Sequence, residues 1–275
     1  MQFSPNPAQF NDPDIAEVLQ ESSNEDISLL IDVITDSGGG RISLSSESCK
    51  RLVAAKNSGA EFADRVLIEE ELTRFGGNTL MNLFRRGAGV PYREILGDVA
   101  SHVQVAKKAD ASCAELEMAV IGRLVEQSVD RMDDSDRMRF FESFGGRYVP
   151  GTGPLALAAQ IAALGKASSS AYQLATAVAS STMSHLVGRG VAVAGTGALS
   201  RTVGVMVGPI GWAITGLWTA YDLASPAYRV TVPCVIQIGY MRQKLLQGSA
   251  CPQCGTPPVP GAKFCPECGT NLTMR

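Results

Sequence analysis

No carboxylate occurs anywhere between Ser143 and Tyr221. The charges in that stretch are Arg147, Lys166, Arg189 and Arg201, and small residues make up much of the rest. A segment so apolar must be buried against protein or lipid. Aromatic residues are also scarce, at 6% of the 275-residue chain, and there are two histidines, His102 and His185. His102 falls on a predicted charged helix and His185 in the apolar stretch, and neither has a sequence-level partner for acid–base work. The opening residues, MQFSPNPAQFNDPDIAEV, carry neither a basic segment nor an apolar core of the kind that directs export. Seven cysteines, an odd number, then point to reduced thiols in the cytoplasm. Cys49, Cys113 and Cys234 stand singly among apolar neighbours and read as small core residues.

What the chain does have is divided unequally. Residues 1–142 hold 25 Asp and Glu against 15 Lys and Arg, a net of −10. Residues 143–275 hold 2 against 9, a net of +7. An acidic, charge-rich half thus precedes an apolar, basic one. Either the acidic half cradles the basic half, or the basic half faces anionic phospholipid.

Helix signals run through the acidic half, with no strand alternation. Asp12 or Asp14 can cap a first short helix. Asn24, Glu25 and Asp26 open a second, stopped by Ser37-Gly38-Gly39-Gly40. Helices over 45–56 and 61–75 follow. The latter is expected to bury Phe62, Val66, Leu67, Leu72 and Phe75 and to expose Glu69, Glu70, Glu71 and Arg74. Gly76-Gly77 stops it, Asn78 caps a short helix over 79–86, and Pro91 starts another. Ser112-Cys113-Ala114-Glu115 forms a capping box, and Asp133 to Asp136 cap the helix that ends near Phe144. In the apolar half the pattern predicts helix over 154–187, broken near 165–170, then 191–207 and 210–223 on either side of Gly208-Pro209. Thr231 can cap a last amphipathic helix to about Gln247, and Gly248-Ser249-Ala250 forms a linker.

The last 25 residues carry the strongest chemical signal. Cys251-Pro252-Gln253-Cys254-Gly255 recurs as Cys265-Pro266-Glu267-Cys268-Gly269. Two residues between thiolates let both sulfurs of one turn reach a Zn²⁺, and two such turns complete a tetrahedron. Redox pairs or disulfides are the rivals, but no thioredoxin-like βαβ unit surrounds the pattern. Four cysteine ligands make a closed, structural site. Lys263 and Arg275 are its only positive charges and Phe264 its only aromatic, which argues against nucleic acid. Phe264 is expected to form the ribbon's small core with Val259 and Leu272.

Enzyme motifs fail. Gly151-Thr152-Gly153-Pro154-Leu155-Ala156 has no preceding strand and no acid to hold a ribose, and Gly165-Lys166 lacks the rest of a phosphate loop. Gly204 and Gly208 form a GxxxG, which suits close helix approach in lipid and in soluble cores alike. Residues 202–221 are uncharged and long enough to cross ~30 Å of hydrocarbon, but include Pro209 and four glycines. Both readings, glycine-rich core and membrane-associating hairpin, stay open. On the second, Arg189 and Arg201 lie at headgroup level while Trp212 and Trp218 dip below.

Three stretches, Asn11–Thr35, Leu72–Val99 and Gly208–Gln243, resemble the bacterial YaaW family. The specific parts are Phe75-Gly76-Gly77, Tyr92-Arg93-Glu94-Ile95-Leu96 and Ala227-Tyr228-Arg229-Val230-Thr231-Val232-Pro233. The resemblance implies an all-helical body with no known catalytic residues and a distant grouping with the ubiquinol–cytochrome c chaperones. The terminal ribbon lies outside it.

The expected architecture is mainly α: a multi-helix body with a glycine-rich apolar helical region and a small C-terminal zinc ribbon. Residues 1–40 read as a short helical segment, 41–146 as a charge-rich helical domain and 147–224 as the apolar helices. Residues 225–248 supply the body's last helix and 249–275 the ribbon. The expected function is non-enzymatic. The apolar half would engage an anionic membrane surface or a membrane-bound protein partner, from the cytoplasm, at the periphery of the inner membrane or inserted in it. Zn²⁺ would sit on Cys251, Cys254, Cys265 and Cys268. A soluble assembly chaperone that holds client proteins is the alternative. No small-molecule substrate is identified.

Overall fold

The computed structural model describes residues 14–41, 44–76, 89–106, 110–165, 168–188, 227–249, 263–265 and 268–271. Ten α-helices occur among them: α1 (Ala16–Glu21), α2 (Asn24–Thr35), α3 (Ser46–Ser58), α4 (Phe62–Gly76), α5 (Tyr92–His102), α6 (Cys113–Asp130), α7 (Asp134–Ser143), α8 (Pro154–Leu164), α9 (Ser168–Val187) and α10 (Tyr228–Ser249). The expected helices over 79–86, 191–207 and 210–223 lie outside the described residues, as do Val259 and Leu272.

Local chemistry accounts for most boundaries. The hydroxyls of Ser23, Ser45 and Ser112 and the Asp133 carboxylate each accept a free amide at the start of α2, α3, α6 and α7. The Ser112–Glu115 capping box forms as expected, with Glu115 Oε2 accepting the Ser112 amide at 2.8 Å. Left-handed Asp36 and Ser37, then Gly38 and Gly40 at positive φ, stop α2. Helix α1 departs from expectation: Ile15 is its N-cap, with no side-chain cap from Asp14.

Helix α10 is the centre of the body. It packs against α9, α2, α6, α1, α5 and α4. Every residue from Val230 to Met241 is buried, so the expected amphipathic helix is instead a core helix. It also starts earlier than Thr231, whose hydroxyl donates back to the Ala227 carbonyl at 3.2 Å, and continues through the expected linker to Ser249. Pro233 lies inside it. Gly239 sets the crossing with α6. A Cβ there would stand 3.1 Å from Ile121 Cδ1 and 3.3 Å from Glu117 Cβ.

Helix α4 buries Leu72 and Phe75 and exposes Arg74 as expected, but departs from expectation at Phe62, Glu69 and Glu71. Phe62 is 70% exposed, whereas Arg65, Glu69 and Glu71 are buried. The buried stripe is Arg65, Ile68, Glu69, Leu72 and Phe75, at helical spacing. Arg65 is tolerated inside because it donates to the carbonyls of Leu19, Gln20, Ser22 and Ala60 and to Asn24 Oδ1. Glu71 accepts from Ser48 at 2.8 Å and Arg74 at 2.9 Å. Gly76 ends α4 as a helical residue, and Gly77 lies outside the described residues.

Candidate functional site

Half of the predicted metal centre is described. Phe264 and Asn271 form an antiparallel bridge. Inside it, the Cys265 amide donates to the Thr270 carbonyl at 2.8 Å and the Gly269 amide donates to the Cys265 carbonyl at 2.9 Å. Gly269 takes the left-handed conformation, φ 71°, that this turn requires. Cys265 and Cys268 are both thiols, the first buried and the second exposed. Cys268 Sγ lies 3.1 Å from Thr270 Oγ1. A turn closed by backbone hydrogen bonds and carrying two cysteine thiols fits the donor chemistry of Zn²⁺. Cys251 and Cys254 lie outside the described residues, and no group of three or more His, Cys, Asp or Glu forms a ligand set among the described ones. Phe264 does not form the expected ribbon core: it is 58% exposed.

The other predicted contact residues, Arg189, Arg201, Trp212 and Trp218, lie outside the described residues. The apolar region that leads to them opens with α8, PLALAAQIAAL, which carries no charge. Leu157 and Ile161 are its buried residues. Leu155 is 88% exposed, and Ala156, Ala159, Ala162 and Ala163 are exposed with it. Arg147 and Val149, just before α8, are exposed too.

Reasoning from sequence missed a buried ionic cluster. Glu117 on α6, fully buried, accepts from Arg242 on α10 through both oxygens, Oε2 from Nε at 2.7 Å and Oε1 from Nη2 at 3.0 Å. Tyr92, at the start of α5, donates its hydroxyl to Glu117 Oε1 at 2.9 Å. Arg242 also reaches the Asp14 carbonyl. Burial raises the Glu117 carboxyl above the ordinary value, against the pull of Arg242. Burial lowers the Arg242 guanidinium, but its hydrogen bonds and charge pairing with Glu117 outweigh that and leave it raised. The two-point geometry marks an ionised pair. Beside it, burial and the neighbouring Asp14 push the Cys113 thiol up to about 11, and burial pushes Cys234 up to about 12. Both thiols are therefore unreactive core groups.

A second pair lies one face away. Lys244 Nζ meets the buried Asp26 Oδ2 at 2.6 Å and stands 5.7 Å from the centre of the Tyr240 ring. Tyr92, Glu117 and Arg242 lie on three different helices, and no local sequence signal joins them. His102 stacks on Tyr228 with ring centres 3.8 Å apart, and His185 is exposed on α9.

Residues 248–272 match the family model of a zinc-ribbon domain. Over the body, the chain is similar to a UPF0174 protein of Helicobacter pylori, 36% identical over 191 residues that make up 69% of this chain and 74% of the relative. A second Helicobacter pylori UPF0174 protein is 36% identical over 183 residues, 65% of this chain and 87% of the relative. The UPF0174 protein YaaW of Escherichia coli is 27% identical over 239 residues, 85% and 95% of the two chains. No solved structure matches.

Proposed function

The chain belongs to the UPF0174 family, and on that footing we propose that it is a non-enzymatic zinc-ribbon protein that engages a membrane, or a partner held there, through the apolar region that begins at α8. The observation that carries this reading is the exposure of α8. This uncharged helix turns Leu155 and four alanines to solvent beside one polar side chain, Gln160, and burying the Leu155 side chain would contribute about 1.5–3 kcal/mol. Exposed Arg147 lies where it can meet an anionic headgroup. Helix α8 has eleven residues, too few to cross ~30 Å of hydrocarbon, so on this reading its own contact is with the surface layer. On this reading the protein works from the cytoplasm, at the inner membrane. Cys251, Cys254, Cys265 and Cys268 hold one structural Zn²⁺, and the ribbon serves as a docking or control element.

Flotation with vesicles tests the first part. The protein is expected to float with anionic vesicles more than with neutral ones, and less as salt rises. Leu155→Asp should reduce flotation without loss of helix content. A protein that never floats, yet prevents aggregation of unfolded client chains, would favour the soluble chaperone instead. For the metal, Cys265→Ser should abolish stoichiometric zinc, and a full equivalent retained in that variant would refute the ligand set.

A further inference from the structure

Helix α8 packs on α6 and touches α9, and Leu157 and Ile161 are its buried residues. Among the described residues no hydrogen bond or ion pair joins its side chains to another helix. Space is left at both ends of the contact. A cleft of 220 Å³ opens beside the start of α8, lined by Val129 of α6 and by Leu155, Leu157 and Ala158. A groove of 690 Å³ opens beside its end, lined by Met118, Ala119 and Gly122 of α6 and by Ala162 and Gly165. Ile161 borders both, so this anchor forgoes many of the close contacts that a filled core would give it.

The chain that enters α8 can turn. Tyr148 is fixed to α7, its hydroxyl donating to Asp134 at 2.6 Å. Beyond it the backbone makes a local turn, with the Thr152 amide donating to the Val149 carbonyl at 3.0 Å. Gly151 takes a φ of 86° there, and a Cβ added to Gly151 or Gly153 would meet nothing within 4 Å. Gly165 caps the far end of the helix.

We propose that α8 is a releasable strap: it swings off α6 about Gly151 and Gly165, and Leu157 and Ile161 leave α6 with it. Gln160 is the one polar side chain of the helix, so apolar residues stand on every face. A helix of that kind gains most when it is covered all round. Docked in place, α8 offers a surface layer Leu155 and its alanines; released, it adds Leu157 and Ile161. The use of the release rests on the membrane contact proposed above, whereas the release itself rests on packing within the chain.

Two measurements on the full-length protein test it. Ile161→Cys is treated with a water-soluble maleimide, and modification is read by mass spectrometry on the peptide that contains α8, so the native cysteines do not interfere. Ile34→Cys on α2, the same truncation at a buried position, is the reference. Without vesicles, position 161 should be modified at least about tenfold faster than position 34. Equal rates would overturn the strap, whatever vesicles do. Leu157→Cys repeats the comparison at the other anchor if circular dichroism shows that Ile161→Cys perturbs the fold. Anionic vesicles with a photoreactive group near the headgroup end of the acyl chain are then added to the unsubstituted protein. Crosslinks should reach Leu157 and Ile161 as well as Leu155. Crosslinks at Leu155 that spare both anchors would overturn the transfer to lipid. Fast modification at 161 with no crosslink anywhere on α8 would support the strap and remove the membrane contact, which keeps the two failures distinct.

Discussion

Helices α4 and α8 are opposites in composition and in placement. Helix α4 is rich in charge, yet it buries Arg65, Glu69 and Glu71 and leaves Phe62 exposed. Helix α8 has no charge, yet Leu157 and Ile161 are its buried residues while Leu155 stands in solvent. The difference lies in the partners. The charged groups of α4 find carbonyls, hydroxyls and counter-charges within hydrogen-bond reach, which offsets their desolvation. The exposed groups of α8 are, apart from the Gln160 amide, apolar and so can meet another apolar surface. Burial in the acidic half serves structure; exposure at the start of the apolar half is where a contact can be made.

The largest way to break this contrast is at the buried pair. Glu117→Ala would leave the Arg242 guanidinium and the Tyr92 hydroxyl inside the core without their acceptor. Chemical denaturation should show a loss of about 3–5 kcal/mol. Replacing Glu117 and Arg242 together by Gln and Met should recover a large part of it. If the single variant is nearly as stable as the parent, the pair does not organise the core.

A matched pair of substitutions on α4 sharpens the point. Arg65→Met removes donors from the Leu19, Ser22 and Ala60 carbonyls and should cost about 3 kcal/mol. Phe62→Ser, three residues earlier and apolar, should stay within about 0.5 kcal/mol of the parent. The reverse order would restore the face that apolar spacing alone suggests.

The smallest effect concerns pH. Burial holds the His102 imidazolium below its ordinary value while the ring stacks on Tyr228. The unfolded chain therefore binds the extra proton first, at its ordinary value near 6.5. The stabilisation is present above that pH and is lost as pH falls through 6.5 toward the folded value. His102→Phe, which keeps a stacking ring, should flatten this slope between pH 6.5 and 5. An unchanged slope would assign the acid sensitivity to other groups.

Much of this was legible in the sequence wherever the physics is local. Ser112 with Glu115 acts within four residues and sets the boundary expected of it. The acidic run caps α7 from Asp133, so that the helix starts at Asp134 and not at the expected Arg137. Left-handed Asp36 ends α2 just ahead of its glycines. The cysteine spacing is local as well, and the turn at Gly269 follows from it. The face of α4 was legible only in part. Leu72 and Phe75 belong to the expected stripe and are buried. Its N-terminal part turns so that Arg65 and Ile68 go inside in place of Phe62, with Arg65 donating to carbonyls at and just after the end of α1, more than forty positions away. The burial of α10 is hidden for the same reason. Its Arg242 and Lys244 stand near a helix C-terminus, where positive charge is favoured in any case, and nothing beside them announces Glu117 and Asp26. Long-range pairing of charge leaves no trace in a window of neighbouring residues.

Hydrogen exchange of residues 154–164, with and without anionic vesicles, tests the contrast most directly. Helix α8 is expected to exchange faster than α4 and α10 in the free protein, since Leu157 and Ile161 are its buried anchors, and to become protected when vesicles are added while α4 and α10 do not change. An α8 as protected as α10 in the free protein, or one that vesicles leave unaltered, would contradict the account.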